Sequence, residues 1–548
     1  MPYSVRTWLG RNTYSNLMTS TSDTYPGDST VKSALWLAVI FASAKLLLTF
    51  GLTLYTQKIG YSYFRDEFYY IACGRHLAWG YVDHGPVVAV QARLGELLFG
   101  DSLFAIRIFS AIAGAIMVFL GGLVAWALGG RRSAQALAML GLICCPQYIG
   151  VDGFLSMNSF EPMFWTFCVL ALILMLSGHR ASLWWPLLGI VGGIGILNKP
   201  SMPMFLVALL LGLLCMPERR VLFSRWALIG ILLMLIIPLP YVAWQYGNHW
   251  PMAEFLHNGA VYHKNITLGP LAFFLAQFAN MQPVNALLWV VGVIALLRGK
   301  SIQRGRWLGL AFIFFFAMAF LSHAKDYYLA PVYPAFFAAG AIAWEHRFAA
   351  SRLVQRSSIF AFPVFEAAMV VTTAIVLPMA SPVLTPQTWV RYTTALHLPH
   401  NNTERAATGP LPQFFADRFG WQQEASIVIA GYRSLAPEEQ QHVCIFGNNY
   451  GEAASIDFFN RLQGAGLPPA ISGHNTYYLW GPHHCDPNVS IAVISDTPAE
   501  IGLKYSSVKV LGHLDSPYAM PYEHKNVYLL RNRRADAPFL WSDEKHYD

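Results

Sequence analysis

Long apolar runs follow one another through residues 34–380 of this 548-residue chain. About 20 apolar residues cross the hydrocarbon of a bilayer as a helix, and lipid requires each crossing segment to satisfy its own backbone polar groups. A chain with many such runs is a polytopic α-helical membrane protein. Eleven spans are expected, near residues 34–54, 103–128, 134–150, 160–177, 183–198, 201–216, 226–245, 283–297, 307–322, 328–344 and 359–380. The shorter ones are expected to tilt or to be partly buried. After residue 380 the runs stop. The expected organisation is an N-terminal tail (1–33), a transmembrane domain (34–380) and a C-terminal α/β domain (381–548).

Charge follows the same division. Only 12% of the residues are charged, against about 25% in ordinary soluble domains. Residues 381–548 carry 12 Lys and Arg against 16 Asp and Glu, so the basic excess lies in the membrane part. It marks loop flanks rather than a nucleic-acid surface, and no nucleic-acid-binding motif is present. With the N-terminus inside, the inner loops hold Arg131, Arg132, Arg180, Arg219, Arg220, Arg225, Arg298 and Arg347 against only Glu218 and Glu345. The positive-inside rule then places residues 381–548 outside, in a periplasm or its equivalent. The first 30 residues are polar and lack a signal peptide's apolar core, which fits a cytoplasmic tail.

The carboxylates of the membrane part gather in the outer loops: Asp66, Glu67, Asp83, Glu96, Asp101, Asp152, Glu161, Glu254 and Asp326. A transporter would place ionisable groups within the spans. Here the spans are nearly free of charge, with Lys45 an exception, so any chemistry is expected at the outer surface. The first outer loop, about 55–102, is long. Residues 66–79 and 87–99 have helical spacing and are expected to lie in the interface plane, anchored by Tyr61, Trp79 and Tyr81. Asp66 and Glu67 are adjacent, so on a helix they point about 100° apart. They cannot both face one reacting atom. One can do chemistry while the other orients it, or the pair only complements the helix dipole.

Further motifs follow in order: Tyr69-Tyr70-Ile71-Ala72 and Gly80-Tyr81-Val82-Asp83-His84-Gly85-Pro86, then Met157-Asn158-Ser159-Phe160-Glu161-Pro162, Leu197-Asn198-Lys199-Pro200-Ser201, and Lys325-Asp326-Tyr327-Tyr328-Leu329-Ala330-Pro331. Together with the Asp-Glu pair after span 1, they resemble the GT-C glycosyltransferases. More narrowly they resemble the protein O-mannosyltransferase superfamily (glycosyltransferase family 39 type) and its bacterial relatives, the lipid A aminoarabinose transferases. The resemblance covers about residues 60–340. It implies a GT-C fold in a bacterial inner membrane and transfer of a sugar from a polyprenyl-phosphate donor to an envelope acceptor: protein, lipid A or surface glycan. It maps the catalytic base onto Asp66. One departure stands out: where the aminoarabinose-type enzymes carry Asp-Lys-Pro-Pro, this chain has His84 and Gly85 in place of the Lys and first Pro.

Inverting transfer from a lipid phosphate needs a carboxylate to take the acceptor's proton, cations for the departing phosphate and an apolar groove for the lipid tail. Asp66 and Glu67 are the catalytic candidates. Arg65, His84, Lys199, His263, Lys264 and Lys325 are the candidates for the donor phosphate, with Arg75 a further outer cation. Asp83, Asn158, Glu161, Asp326 and Tyr327 are the substrate-binding candidates. Each cation has a plainer reading: Lys199 as a snorkelling lysine, Lys325 as the ion-pair partner of Asp326, and His263-Lys264 as part of a solvated connector in the 246–282 loop, which could also serve as a lid. No cofactor is assigned; a divalent ion is left open. Asp83, His84, Glu161 and His263 have suitable ligand atoms, but no metal-site spacing ties them together.

In the C-terminal part, 381–400 reads as a linker, and strands are expected at 426–430, 442–446 and 490–494. Phe446-Gly447-Asn448-Asn449-Tyr450-Gly451 then leads into a helical run at 452–463, a βα unit whose turn reads as structural. Gly473–Pro482 is polar and aromatic, suited to a carbohydrate acceptor or to capping the fold. Cys444 and Cys485 can form a disulfide outside the cell. The competing functional classes are a transporter or lipid flippase with an outer domain, and a non-catalytic assembly protein. Oligomeric state is not readable.

Overall fold

The computed structural model describes residues 28–262, 264, 266–299, 302, 305–349, 352–398 and 407–548. His263 and most of the N-terminal tail lie outside the described residues. Four helices frame the start of the chain: α1 (Asp28–Lys58), α2 (Arg65–Arg75), α3 (Pro86–Phe99) and α4 (Leu103–Ala127). Further apolar helices follow up to Arg352–Ala380. By length and composition six are able to cross a membrane: Val31–Lys58, Leu103–Ala127, Met157–Leu176, Ala181–Asn198, Arg225–Gly247 and Phe362–Ala380. Shorter apolar helices run over Ser201–Leu214, Ala286–Arg298 and Arg306–Leu321. The chain is built as a multi-pass membrane protein.

Two of the expected spans are interrupted. The 134–150 run is broken between Arg132–Ile143 and Pro146–Val151, where a proline cannot continue the preceding backbone ladder. The 328–344 run starts as a 3₁₀ segment, Asp326–Val332, with Pro331 inside it, and becomes α-helical only over Tyr333–Ala349.

The helices approach closely where glycine allows it. A Cβ at Gly340 would overlap the Leu288 carbonyl, and one at Gly292 would overlap the Phe336 carbonyl. Small residues on both faces let the Ala286–Arg298 and Tyr333–Ala349 backbones touch, as suits helices that gain no hydrophobic drive from lipid.

The C-terminal part holds one four-stranded sheet, β1 (Val443–Gly447), β2 (Asp486–Ile494), β3 (Tyr505–His513) and β4 (Asn526–Arg533), ordered β1-β2-β4-β3. β1 and β2 are parallel; the other pairs are antiparallel. The Cys444–Cys485 disulfide ties β1 to the start of β2. The expected βα unit is present: Asn449 caps the Tyr450–Gln463 helix, with Glu452 closing the capping box.

Two expectations fail here. Residues 426–430 belong to a helix, Trp421–Arg433, because Ala425, Val428 and Ile429 form one buried face at helical spacing. The expected linker contains the helix Pro386–Ala395, capped by Thr385. Its Trp389 is fully buried and donates its indole N–H to the Pro378 carbonyl at 2.7 Å.

Gly340→Ala is expected to lower stability by about 1–3 kcal/mol through overpacking. Gly247→Ala, with nothing within 4 Å of the added carbon, is expected to be neutral. Thermal unfolding in detergent compares the two.

Candidate active site

α2 is the centre of the candidate site. It does not lie bare at an interface: Glu67 to Gly74 are all buried, between the membrane helices and the C-terminal domain. Tyr61 and Tyr81, expected as interfacial anchors, are buried too. The Tyr61 hydroxyl donates to the Leu384 carbonyl, and the Tyr81 hydroxyl donates to the Cys73 carbonyl. Trp79 remains exposed.

The Asp-Glu pair splits as adjacent helical residues must. Glu67 turns inward and is fully buried. It accepts two hydrogen bonds of 2.8 Å from the Arg107 guanidinium, one from the Leu155 N–H and one from the Phe64 N–H. Burial pushes its carboxyl up, but Arg107 outweighs this, and the net shift is below the ordinary carboxylate range. Arg107 sits in α4, in an otherwise apolar run. Its signal in the sequence was its cost: a cation there needs a buried partner.

Asp66 faces the other way, with 28% of its side chain exposed. Its Oδ1 accepts from the Tyr450 hydroxyl at 2.8 Å and lies 3.5 Å from Arg65 Nε. Arg65 donates to the Tyr522 hydroxyl at 2.8 Å, approaches Asp417 at 3.9 Å and stands over the Tyr450 ring. Tyr450, Asp417 and Tyr522 come from the C-terminal domain and were not foreseen in the sequence. The turn read as merely structural delivers Tyr450, and a Cβ at Gly451 would press on the Arg65 side chain.

Asp83 accepts from the Tyr69 hydroxyl at 2.7 Å, and that hydroxyl also meets Thr476 at 2.5 Å. Thr476 belongs to the polar-aromatic segment, which therefore braces the connection between α1 and α4. His84 is fully buried, stacked on Tyr81, with Nδ1 2.8 Å from the Gly85 carbonyl. A carbonyl only accepts, so Nδ1 carries the proton and Nε2, buried and without a hydrogen-bond partner among the described residues, is a lone pair. Burial lowers the His84 pKa despite Asp83 nearby. The ring is neutral at pH 7 and supplies no positive charge for a phosphate.

The remaining motifs converge beside it. A Cβ at Gly85 would strike the Leu197 carbonyl, and Asn198 donates to the Met157 carbonyl at 2.9 Å. Lys199 Nζ is 2.8 Å from both Glu161 and Asn158, and 4.0 Å above the Tyr328 ring. Ser201 donates to Glu161. Lys199 is thus a buried, paired lysine rather than a snorkelling one. Tyr70 lies between the two groups: burial first, then Asp66, Asp83, Cys73 and Tyr327, push its hydroxyl well above the usual range. Asp326 accepts from Asn280 at 2.9 Å, and Lys325, partly exposed, forms no ion pair among the described residues. Arg75 pairs with Glu96. Lys264 lies apart, 3.7 Å from Asp548. The described parts of the 246–282 loop are pinned to the C-terminal segment through Asn258 with Tyr547 and Glu254 with Lys545.

Asp83, His84 and Glu161 do not assemble into a metal cluster. Two other sets of ligand atoms are compact: His474, His546 and Asp548, and Glu424, Glu452 and Glu523. Lys525 occupies the second as its cation. In the first, His474 Nδ1 accepts from the Tyr450 N–H, which leaves its Nε2–H facing Asp548.

Residues 83–244 match the family of dolichyl-phosphate-mannose-protein mannosyltransferases, a stretch that begins after Asp66 and Glu67. The ArnT protein of Cupriavidus metallidurans, bound to undecaprenyl phosphate, is similar over 90% of this chain and 97% of its own, with a TM-score of 0.57 and 14% identity. The chain has the GT-C fold. The apo form of that ArnT matches over 89% and 98%, at a TM-score of 0.54 and 15% identity. An oligosaccharyltransferase of Archaeoglobus fulgidus, tethered with an acceptor peptide, covers 78% of this chain and 64% of its own at 0.46 and 12%. No curated protein matches the chain by sequence. In this GT-C chain all four motif groups of the membrane part meet around α2.

Arg107→Met strands the buried Glu67 carboxylate and is expected to cost about 3–5 kcal/mol, while the double change Glu67→Met with Arg107→Met recovers most of it. Glu67 titrates below its unfolded value, so between the two values the unfolded chain binds more protons. Its stabilisation is present above the ordinary carboxylate range and is lost as pH falls through the depressed folded value. Glu67→Gln is expected to remove this part of the acid limb. Unfolding midpoints across pH test both statements.

Proposed function

We propose that this chain is a glycosyltransferase that moves a monosaccharide from a polyprenyl-phosphate donor to an acceptor on the outer face of a bacterial inner membrane. The carrying observation is the placement of Asp66: partly open, held by Tyr450 and Arg65, and near Tyr70 together with Tyr327, whose ring centre lies 5.9 Å from Lys199. The bound undecaprenyl phosphate of the ArnT structure supports a lipid-phosphate donor. The three-part organisation, the eleven spans and an outer C-terminal domain complete the reading.

In the proposed reaction Asp66 takes the proton of the acceptor hydroxyl as that oxygen attacks the anomeric carbon. The carbon–oxygen bond to the phosphate breaks, and the electron pair leaves with the lipid phosphate. Lys325, unpaired among the described residues, is the cation best placed in chemistry to meet that developing charge. Arg65 and Lys199 are already held by Asp417, Tyr522, Glu161 and Asn158, and they shape the site's field. Glu67 acts as a positioning residue through α2. Asp83, Asn158, Asp326 and Tyr327 line the substrate side. A divalent ion remains an optional addition to this chemistry.

Asp66→Asn is expected to lower transfer by at least about 10²-fold, the scale of a lost general base, with the unfolding midpoint retained. Tyr450→Phe keeps the ring stack and removes one hydrogen bond to a carboxylate, worth roughly 1.5–3 kcal/mol. It is expected to lower turnover about 10-fold or more while leaving donor binding in place. The assay is transfer from purified polyprenyl-phosphate sugars to envelope extracts, with mass analysis of lipid-linked sugars in cells with and without the protein. Full activity of Asp66→Asn would overturn the assignment. Sensitivity confined to the buried Lys45–Asp152 pair would favour the transporter instead.

A further inference from the structure

A cleft runs below the first outer loop, between α1, the Pro146–Gly153 segment and the end of the last long helix. Its polar wall is made by Thr49, Thr53, Thr56, Gly150, Ser381 and Arg418. The three threonines share one face of α1 at positions i, i+4 and i+7. Each hydroxyl donates at 3.0 Å to a carbonyl of its own helix, a bond that rotation about χ1 can exchange for one into the cleft.

Arg418 reaches this cleft from the C-terminal part. It is only 5% exposed. Its Nε donates to the Phe414 carbonyl at 3.1 Å, and its guanidinium carbon lies 5.9 Å from the centre of the Phe154 ring. Among the described residues no carboxylate lies within ion-pair distance of it. The neighbouring charges are already matched: Glu67 is held by Arg107, Lys45 by Asp152 at 2.7 Å, and Asp417 faces Arg65. Arg418 is therefore the surplus cation. Burial, then Arg107, pull it down to about 9, which still leaves it charged at neutral pH. An uncompensated buried charge is strongly destabilising, and a bound anion is the simplest remedy.

The rest of the lining is apolar, with Leu52, Ile149, Ala380 and Pro382. The cleft lies between two helices whose other faces are exposed and apolar, with Leu48 and Leu54 on α1 and Val371 and Ile375 on the last long helix. Those faces meet lipid in a multi-pass protein. We propose that this cleft binds a phosphate-bearing anion with Arg418 as its counter-charge, and that the ligand is an anionic phospholipid headgroup entering from the surrounding bilayer. The site stands apart from the transfer reading, because Asp66, Lys199 and Lys325 do not line it.

The test is native mass spectrometry of the full chain, released from nanodiscs containing phosphatidylglycerol, phosphatidylcholine or both, with inorganic phosphate as a separate probe. Wild type and Arg418→Lys are expected to retain one phosphatidylglycerol, and Arg418→Gln to bind it at least about 10-fold more weakly. Equal retention by wild type and Arg418→Gln overturns the proposal. Binding of inorganic phosphate with no retention of phosphatidylglycerol overturns the lipid source. Wild-type preference for phosphatidylglycerol over phosphatidylcholine requires no variant, so its absence overturns the proposal even if Arg418→Gln fails to fold.

Discussion

The Glu67–Arg107 pair fixes the geometry on which the candidate site depends. Two charges in a buried position are stable only when their hydrogen-bonding capacity is filled. Here the Glu67 carboxylate takes both Arg107 bonds and the N–H groups of Phe64 and Leu155. Those four bonds join the start of α2 to α4 and to the loop before the Met157–Leu176 helix. They also set the rotation of α2 about its own axis. Because consecutive helical side chains diverge by about 100°, fixing Glu67 inward turns Asp66 toward the C-terminal domain. The residue that does no chemistry in the proposed reaction decides where the reactive one points.

The C-terminal domain completes that arrangement. Tyr450 stacks on Tyr69 with ring centres 4.6 Å apart, and His474 packs against the Tyr450 ring at the same distance. Tyr69 in turn holds Asp83 and Thr476. The contacts of Tyr69 with Tyr450 and Thr476 join residues about 400 positions apart in the chain, so the site cannot form before the C-terminal domain has docked. α2 is consequently covered on both sides. The 476–480 segment serves that docking, with Trp480 lying against His76, rather than standing open as an acceptor platform.

The membrane part was legible because its signal is one-dimensional. Apolar runs mark helices regardless of what they pack against, and prolines at 146 and 331 account for the two runs that break. The motifs near Asp66, Glu161, Lys199 and Asp326 were legible as residues but not as partners. The Lys199–Glu161 pair joins helices 38 positions apart, and no local pattern encodes that contact. The 426–430 stretch failed for a different reason. Ile427, Val428 and Ile429 are β-branched and short in extent, and only the register with Ala425 and Trp421 reveals the helix. Tyr450 was missed because a strand-turn-helix is read for what its backbone does, while this turn matters through one side chain. Arg107 was overlooked for the opposite reason: it sits in a strongly apolar run, where one cation barely changes the hydropathy.

The gathering of carboxylates on the loops expected to face outward takes a sharper meaning in three dimensions. Most of them are bound to basic side chains. Glu67 pairs with Arg107, Glu96 with Arg75 and Arg93, Asp101 with Arg461, Asp152 with Lys45, Glu161 with Lys199 and Glu254 with Lys545. A carboxylate tied to a cation is a poor proton acceptor, because the pairing stabilises its charge. Asp83 and Asp326 instead have their short contacts with Tyr69 and Asn280, and Asp66 takes its shortest, 2.8 Å, from Tyr450, with Arg65 farther off at 3.5 Å. Neutral donors orient a carboxylate while stabilising its charge less than a close cation does. Of these three, Asp66 combines partial exposure with a place on the rigid α2 frame. The asymmetry of charge along the chain therefore points to a surface, and on that surface Asp66 is the base we propose.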